Sequence, residues 1–442
     1  MKKLLILCFV LISSPAIADF ITASTAYEKE NYAQAFKEFK ELAVIGNKRA
    51  QHNLAVMYLR GEGVAVDYTE AYAWAKLAQT EDHPEFQGSL DYITGRLSAD
   101  ESKLANEKAE LLYKQYGDDQ IYIDFSPIVY ADAVDREATK RKYELKPIKR
   151  VQPTYPRQMA IDRVQGWVTI HFEVYPNGLV RNPRIIDSFP EGAFDQVGIH
   201  ALSKWKFEVT YEEGVEPYPV GATQTIQFTL KETRLLKPFS QVYVERLEKM
   251  KEYADSGNPD AQYIYAVASS ANGMLEEDQR MAPEEVNKWL LKSAQNGNID
   301  AQYLLGKNIL SGKGCKLEKQ KGLFWVSKAA QNGNDLASRH TYELLKSGKY
   351  INNTSKSEKQ WLTQSADAGN PDSMLEWAKY ILAEGDPSSA DLKLARKYLK
   401  KSLGKRNKNV DWYLASAELY KHENNFKKAE QETRKANKLL AR

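Results

Sequence analysis

The dipeptide Gly-Asn stands at Gly46-Asn47, Gly257-Asn258, Gly297-Asn298, Gly333-Asn334 and Gly369-Asn370, and the last four copies are spaced 40, 36 and 36 residues apart. Each is followed by a helix-opening pair: Ala50-Gln51, Ala261-Gln262, Ala301-Gln302, Ala337-Ser338 or Ser373-Met374. A recurrence at this interval is the mark of stacked two-helix units, and such units bury a continuous core only between neighbours. At 442 residues the chain is too long for one ordinary core, which suits a repeat array or several domains.

The third copy shows the pattern at residue level. Ala301, Leu304, Leu305 and Ile309 fall on one helical stripe, and Gly306 lets a neighbouring helix approach. Ser311-Gly312-Lys313-Gly314 stops that helix, and a returning helix carries Trp325, Ala329 and Ala330. In the N-terminal copy, Ala50 to Ala78, Gly61 and Gly63 allow a tight turn and Asp67 precedes the second helix. Ala71, Trp74 and Ala78 then face the first helix. This copy resembles a Sel-one-like repeat, a cousin of the tetratricopeptide repeat, and Tyr27 to Ala43 resembles the turn and second helix of a tetratricopeptide unit. Ser98-Ala99-Asp100-Glu101 is a capping box that opens a helix running to about Tyr116.

Between the repeats lies a run with a different period. Val168, Ile170, Phe172 and Val174 alternate with Thr169, His171 and Glu173, which predicts a half-buried strand with His171 facing solvent. Pro176-Asn177-Gly178 turns the chain, and Leu179 to Asp187 returns as a second strand in which Pro183 marks an edge or bulge. Phe194, Val197, Ala201, Leu202 and Trp205 define a helix. Ile226, Phe228 and Leu230 alternate with Thr225, Gln227 and Thr229 in a third strand. The prediction is an antiparallel three-stranded sheet, strand-strand-helix-strand, with the helix on one face.

The order of motifs here, P-T-Y-P-R-Q-M-A, then Q-G-W-V-T-I-H-F-E-V-Y-P-N-G, then A-L-S-K-W-K-F, resembles the C-terminal domain of the TonB energy-transducer family. That resemblance implies a module that binds short extended peptides of outer-membrane receptors by strand addition, with no catalytic centre. By the same resemblance the accepting edge is residues 223 to 229, with Thr223, Thr225, Ile226, Gln227, Phe228 and Thr229 as its candidate contacts. Tyr155, Pro156 and Gln158 match the lead-in segment that lies near the receptor contact in relatives, where Tyr155 and Pro156 serve structure equally well. Trp205 and Phe207 are read as core. Members of that family carry an inner-membrane anchor helix and a Pro-rich spacer; here the 16 prolines are scattered and helical repeats stand in the spacer's place.

Residues 1–18 read as a signal peptide: Lys2 and Lys3, an apolar run from Leu4 to Ile12, Pro15, and the small-residue site ending at Ala18, with cleavage before Asp19. The apolar run is shorter than the ~20 residues a membrane span needs. The domain reading is then helical repeats at 19–116, a linker at 117–145, the TonB-like domain at 146–232 and a second repeat array at 240–442. Within the linker, Ile121 to Phe125 is expected as a short strand. The fold class is multidomain: all-α solenoid arms around a small α+β domain.

Composition excludes several function classes. A net charge of +3, about +1 without Lys2 and Lys3, gives no bulk attraction to nucleic acid. Six scattered histidines offer no metal-ligand spacing, and no nucleophile elbow or phosphate-cradling glycine loop is present, so neither cofactor, metal nor small-molecule substrate is expected. Cys315 remains alone once Cys8 leaves with the leader and is read as a small buried hydrophobe. The expectation is a non-enzymatic periplasmic adaptor whose partners are envelope proteins, such as a TonB-dependent-type outer-membrane receptor, with at most peripheral membrane contact after cleavage. The alternative is a component that stays anchored in the inner membrane and assists receptor energisation.

Overall fold

A computed structural model describes residues 20–440 apart from 82, 129–142, 214–216, 231–237, 355 and 403–408. The expected cleavage at Ala18 and Asp19 lies outside the described residues. The chain divides into two compact units, one running through Gly322 and one from Leu323 onward.

In the first unit, helices α1 (Phe20–Glu28), α2 (Tyr32–Ala43), α3 (Lys48–Arg60), α4 (Tyr68–Leu77), α5 (Phe86–Thr94), α6 (Ala99–Tyr116) and α7 (Asp118–Phe125) come first. The central domain follows as β1 (Tyr143–Lys149), α8 (Arg157–Ile161), β2 (Gly166–Val174), β3 (Val180–Phe189), α9 (Asp195–Leu202), β4 (Lys206–Tyr211) and β5 (Val220–Phe228). Then come α10 (Phe239–Asp255), α11 (Pro259–Ala268), α12 (Pro283–Gln295) and α13 (Ile299–Ser311), with α14 (Lys319–Gln331) crossing into the second unit. The second unit continues as α15 (Asp335–Lys346), α16 (Glu358–Asp367), α17 (Pro371–Ala383), α18 (Ser389–Ser402), α19 (Val410–His422) and α20 (Phe426–Leu440).

The Gly-Asn dipeptide is a joint between helices. Gly297 takes φ +97°, where a Cβ is disfavoured, and ends α12; its N–H and that of Asn298 return to the carbonyls of Ala294 and Ser293. Asn298 then caps α13 by accepting the Ala301 N–H at 2.7 Å. Gln302 reaches back to the Ala294 carbonyl at 3.1 Å, and Gln262 and Gln51 make the same bond to Ala254 and Ala43. Where Ser338 replaces that glutamine, Gln364 of the next helix supplies the amide, donating to the Ala330 carbonyl and to Ser338. The periodic motif thus satisfies the carbonyls that a helix end leaves bare. The repeats on either side of the central domain also meet: Asn47 Nδ2 donates to the Gln295 carbonyl at 3.1 Å, and Gln295 Nε2 to the Ile45 carbonyl at 3.0 Å.

Ile121 to Phe125 is helix and not strand. Asp118 and Asp119 place two carboxylates in the first turn of α7, which favours a helix start, and Ile121 is buried against the Gly46 turn. The segment expected as a linker therefore carries α7 and the beginning of β1.

The three predicted strands form an antiparallel sheet in the order β3-β2-β5, while β1 and β4 pair as a separate antiparallel ribbon. The register of β2 with β3 shifts twice, once at Ile186 and once at Asn182-Pro183, where Asn182 takes φ +52°, so the bulge expected beside Pro183 is present. One face of the sheet packs under α9: Val168, Ile170, Phe172, Val174, Ile226 and Phe228 join Phe194, Leu202, Trp205 and Phe207 in one core. The second face is not open to solvent as alternation predicted. Trp167, Thr169 and Glu173 are buried there too. Trp167 packs on Phe239 and Tyr243 of α10 at ring distances of 5.6 and 5.8 Å. The sheet is a middle layer, with α9 on one side and repeat helices on the other.

Candidate functional site

Strand β5 lies at the end of the sheet, paired with β2 on its inner side from Gly166 opposite Phe228 to Val174 opposite Val220. Its outer side turns the backbone groups of Thr223 and Thr225 away from the sheet. One external residue engages them. Thr225 N–H donates to the Asn272 carbonyl at 2.8 Å, and Asn272 N–H donates to the Thr223 carbonyl at 3.2 Å. This is a one-residue parallel bridge between Gln224 and Asn272, made by the loop that joins α11 to α12. Side-chain amides extend it: Gln224 Nε2 donates to the Thr225 carbonyl at 2.9 Å and Gln227 Nε2 to the Gly273 carbonyl at 2.8 Å.

The predicted contacts divide by side-chain direction. Thr223 and Thr225 point into the second face, where Thr223 bonds His171 Nδ1 at 3.0 Å and Thr225 bonds Thr169 at 2.8 Å. Ile226 and Phe228 point into the core under α9, leaving Gln227 and Thr229 exposed. What β5 can offer a partner is therefore its backbone and Gln227. Tyr155 stacks edge-on against Phe194 and Phe228 at 5.7 and 5.8 Å and donates its hydroxyl to the Val164 carbonyl at 2.6 Å. It braces the end of β5 from within. Pro156 precedes α8, and Gln158 is exposed and bonded to Asp162.

Glu173, Arg184 and Asp187 on the second face find partners on repeat helices. Glu173 pairs with Lys307 of α13 and accepts from Tyr303 at 3.2 Å and Asn182 at 2.5 Å. Arg184 pairs with Asp300. Asp187 accepts from Trp167 Nε1 at 2.9 Å and from Arg246 of α10 at 2.6 Å. His171 is not a solvent-facing side chain: burial, with Lys307 and Lys313 nearby, pulls its pKa down to about 3. Burial likewise pushes the Cys315 thiol up to about 12, in keeping with a packed and unreactive side chain.

A cleft of about 520 Å³ opens at the far end of β5, lined by Gln227, Phe239, Gly273, Leu275 and Glu276 among others. Among the described residues no three His, Cys, Asp or Glu side chains gather as a metal site. Asn272 and Gly273 were not among the predicted site residues. Their signal was an Asn-Gly turn pair inside the one repeat whose interval is 40 residues and not 36.

Residues 151–230 match the family described as Gram-negative bacterial TonB protein C-terminal, and residues 48–79, 299–334 and 371–403 match the Sel1 repeat. The chain carries a TonB C-terminal-type domain among Sel1 repeats. Similar curated proteins include Protein TonB of Klebsiella pneumoniae, 34% identical over 83 residues, which are 19% of this chain and 32% of that protein. Protein TonB of Escherichia coli (strain K12) is 33% identical over 61 residues, 14% of this chain and 26% of that protein. The TonB-like match thus spans about a third or less of these relatives. Among solved structures, a Sel1 repeat protein from Oxalobacter formigenes is 18% identical, covering 45% of this chain and 85% of that one at a TM-score of 0.34. The TonB C-terminal domain of Pseudomonas aeruginosa is 26% identical, covering 20% of this chain and 90% of that one at a TM-score of 0.18. Both matching families are protein-interaction modules.

Proposed function

We propose that this chain is a non-enzymatic adaptor of the bacterial periplasm, in which the TonB-like domain takes an extended segment of an envelope protein onto the outer side of β5 and the Sel1 repeats hold further protein partners. The observation that carries the reading is the terminal place of β5 in the sheet, with Thr223 and Thr225 already accepting and donating to a backbone from outside it. Strand addition draws affinity from the main chain. Four to six such bonds at roughly 1 kcal/mol each, less the cost of association, correspond to binding of about micromolar strength. A receptor of the TonB-dependent type is the partner that the family relationship favours.

A photo-crosslinking residue placed at Gln227 tests the reading in cells. It should capture an envelope protein, whereas the same residue at Asn182, on the opposite edge, should not; equal capture from the two positions would remove the role given to β5. Fractionation of those cells should release the chain with the periplasmic contents and with Asp19 as its first residue. Recovery in the inner membrane with Met1 retained would favour the anchored energy-transduction component instead.

A further inference from the structure

We propose that Asn272 and Gly273 form a built-in strap that closes the β5 edge in cis, so that a partner strand must displace it to bind; this rests on the reading of β5 as a strand acceptor. The strap occupies the backbone groups an incoming strand would use: the Thr225 N–H and the Thr223 carbonyl. It is short. Asn272 and Gly273 are exposed, while Ala271 on one side and Met274 and Leu275 on the other are buried and anchor it.

The fit is specific. Gly273 takes φ +100°, and a Cβ there would stand 2.6 Å from both Gln224 Nε2 and the Thr225 carbonyl oxygen, so only glycine allows the approach. Arg280, from the same loop, donates to Asn272 Oδ1 and holds the residue in place. The contact is also weak enough to yield. Two neutral backbone bonds stand against the several that a full partner strand would make, so closure should lower apparent partner affinity by about tenfold to a hundredfold without abolishing binding. The cleft bounded by Gln227, Phe239, Gly273 and Leu275 continues from this edge and offers an incoming strand room beyond Gln227.

Hydrogen exchange on the full chain, resolved to single amides by fragmentation, tests the closure directly. Gly273→Val and Asn272→Pro should each raise exchange at the Thr225 amide by at least about thirtyfold, while the amides of β2 and β5 that face each other keep their protection. A fluorescent peptide copying residues 269–276 should then bind both variants at least about tenfold more tightly than the wild type. Unchanged Thr225 exchange in both variants would overturn the proposal, as would equal peptide affinity for wild type and variants. Faster exchange with the peptide binding no form would leave the closure standing and remove strand acceptance, so the two readings fail separately.

Discussion

Lys307→Met should destabilise the first unit by about 3–5 kcal/mol. The Glu173 carboxylate sits on the buried second face of the sheet, paired with Lys307, and both side chains are almost wholly removed from water. Removing the ammonium takes away the cation paired with this buried carboxylate, which keeps its hydrogen bonds from Tyr303 and Asn182. Deleting both charges is a different perturbation. Glu173→Gln combined with Lys307→Met should recover most of the loss, because an amide keeps hydrogen-bonding capacity without an ion to desolvate. Urea unfolding of the three proteins measures the difference, with the midpoint moving and the denaturant dependence unchanged. A cost below about 1 kcal/mol for Lys307→Met would be the value of an exposed pair and would mean that α13 does not seal this face.

The same face shows where sequence reasoning stops. Val168, Ile170, Phe172 and Val174 announced a strand by alternation, and the Gly-Asn interval announced the helix pairs, because both signals are local and periodic. Alternation also assigned Thr169, His171 and Glu173 to solvent, and that was wrong. A polar residue in a strand looks the same in sequence whether water or a partner over a hundred positions away satisfies it, as Lys307 does for Glu173. β4 was missed, although Phe207, Val209 and Tyr211 alternate with Glu208 and Thr210 and pack on the core. β1 was missed as well, because Pro147 interrupts its ladder and charged residues fill its outer positions. For the candidate site, family resemblance located β5 as the terminal strand. It could not show that Asn272 is bonded there, since that contact depends on where the α11–α12 loop falls after the repeats stack on the sheet.

Acid should weaken the attachment of the repeat helices to the sheet through His171. Its imidazole bonds Thr223 and is faced by Lys307, Lys313 and Arg184, which oppose a further positive charge, while Glu173 favours it. The folded-state pKa is about 3 against an ordinary value of 6.5 in the unfolded chain. Above pH 6.5 both states hold a neutral ring and the group contributes no pH dependence. As pH falls below 6.5 the unfolded chain binds a proton that the folded chain does not, so stability declines by up to about 1.4 kcal/mol per pH unit until the folded ring also protonates near pH 3. His171→Gln keeps a hydrogen-bonding group opposite Thr223 but does not titrate. Between pH 6.5 and 4.5 the wild type should lose about 2 kcal/mol more than this variant in urea unfolding, the carboxylates being common to both. Parallel pH profiles would show that the ring is solvated in the folded state. A steeper wild-type profile would couple acidification to β5, the proposed acceptor strand, because the Thr223 side chain that bonds His171 belongs to the residue whose carbonyl accepts the Asn272 N–H.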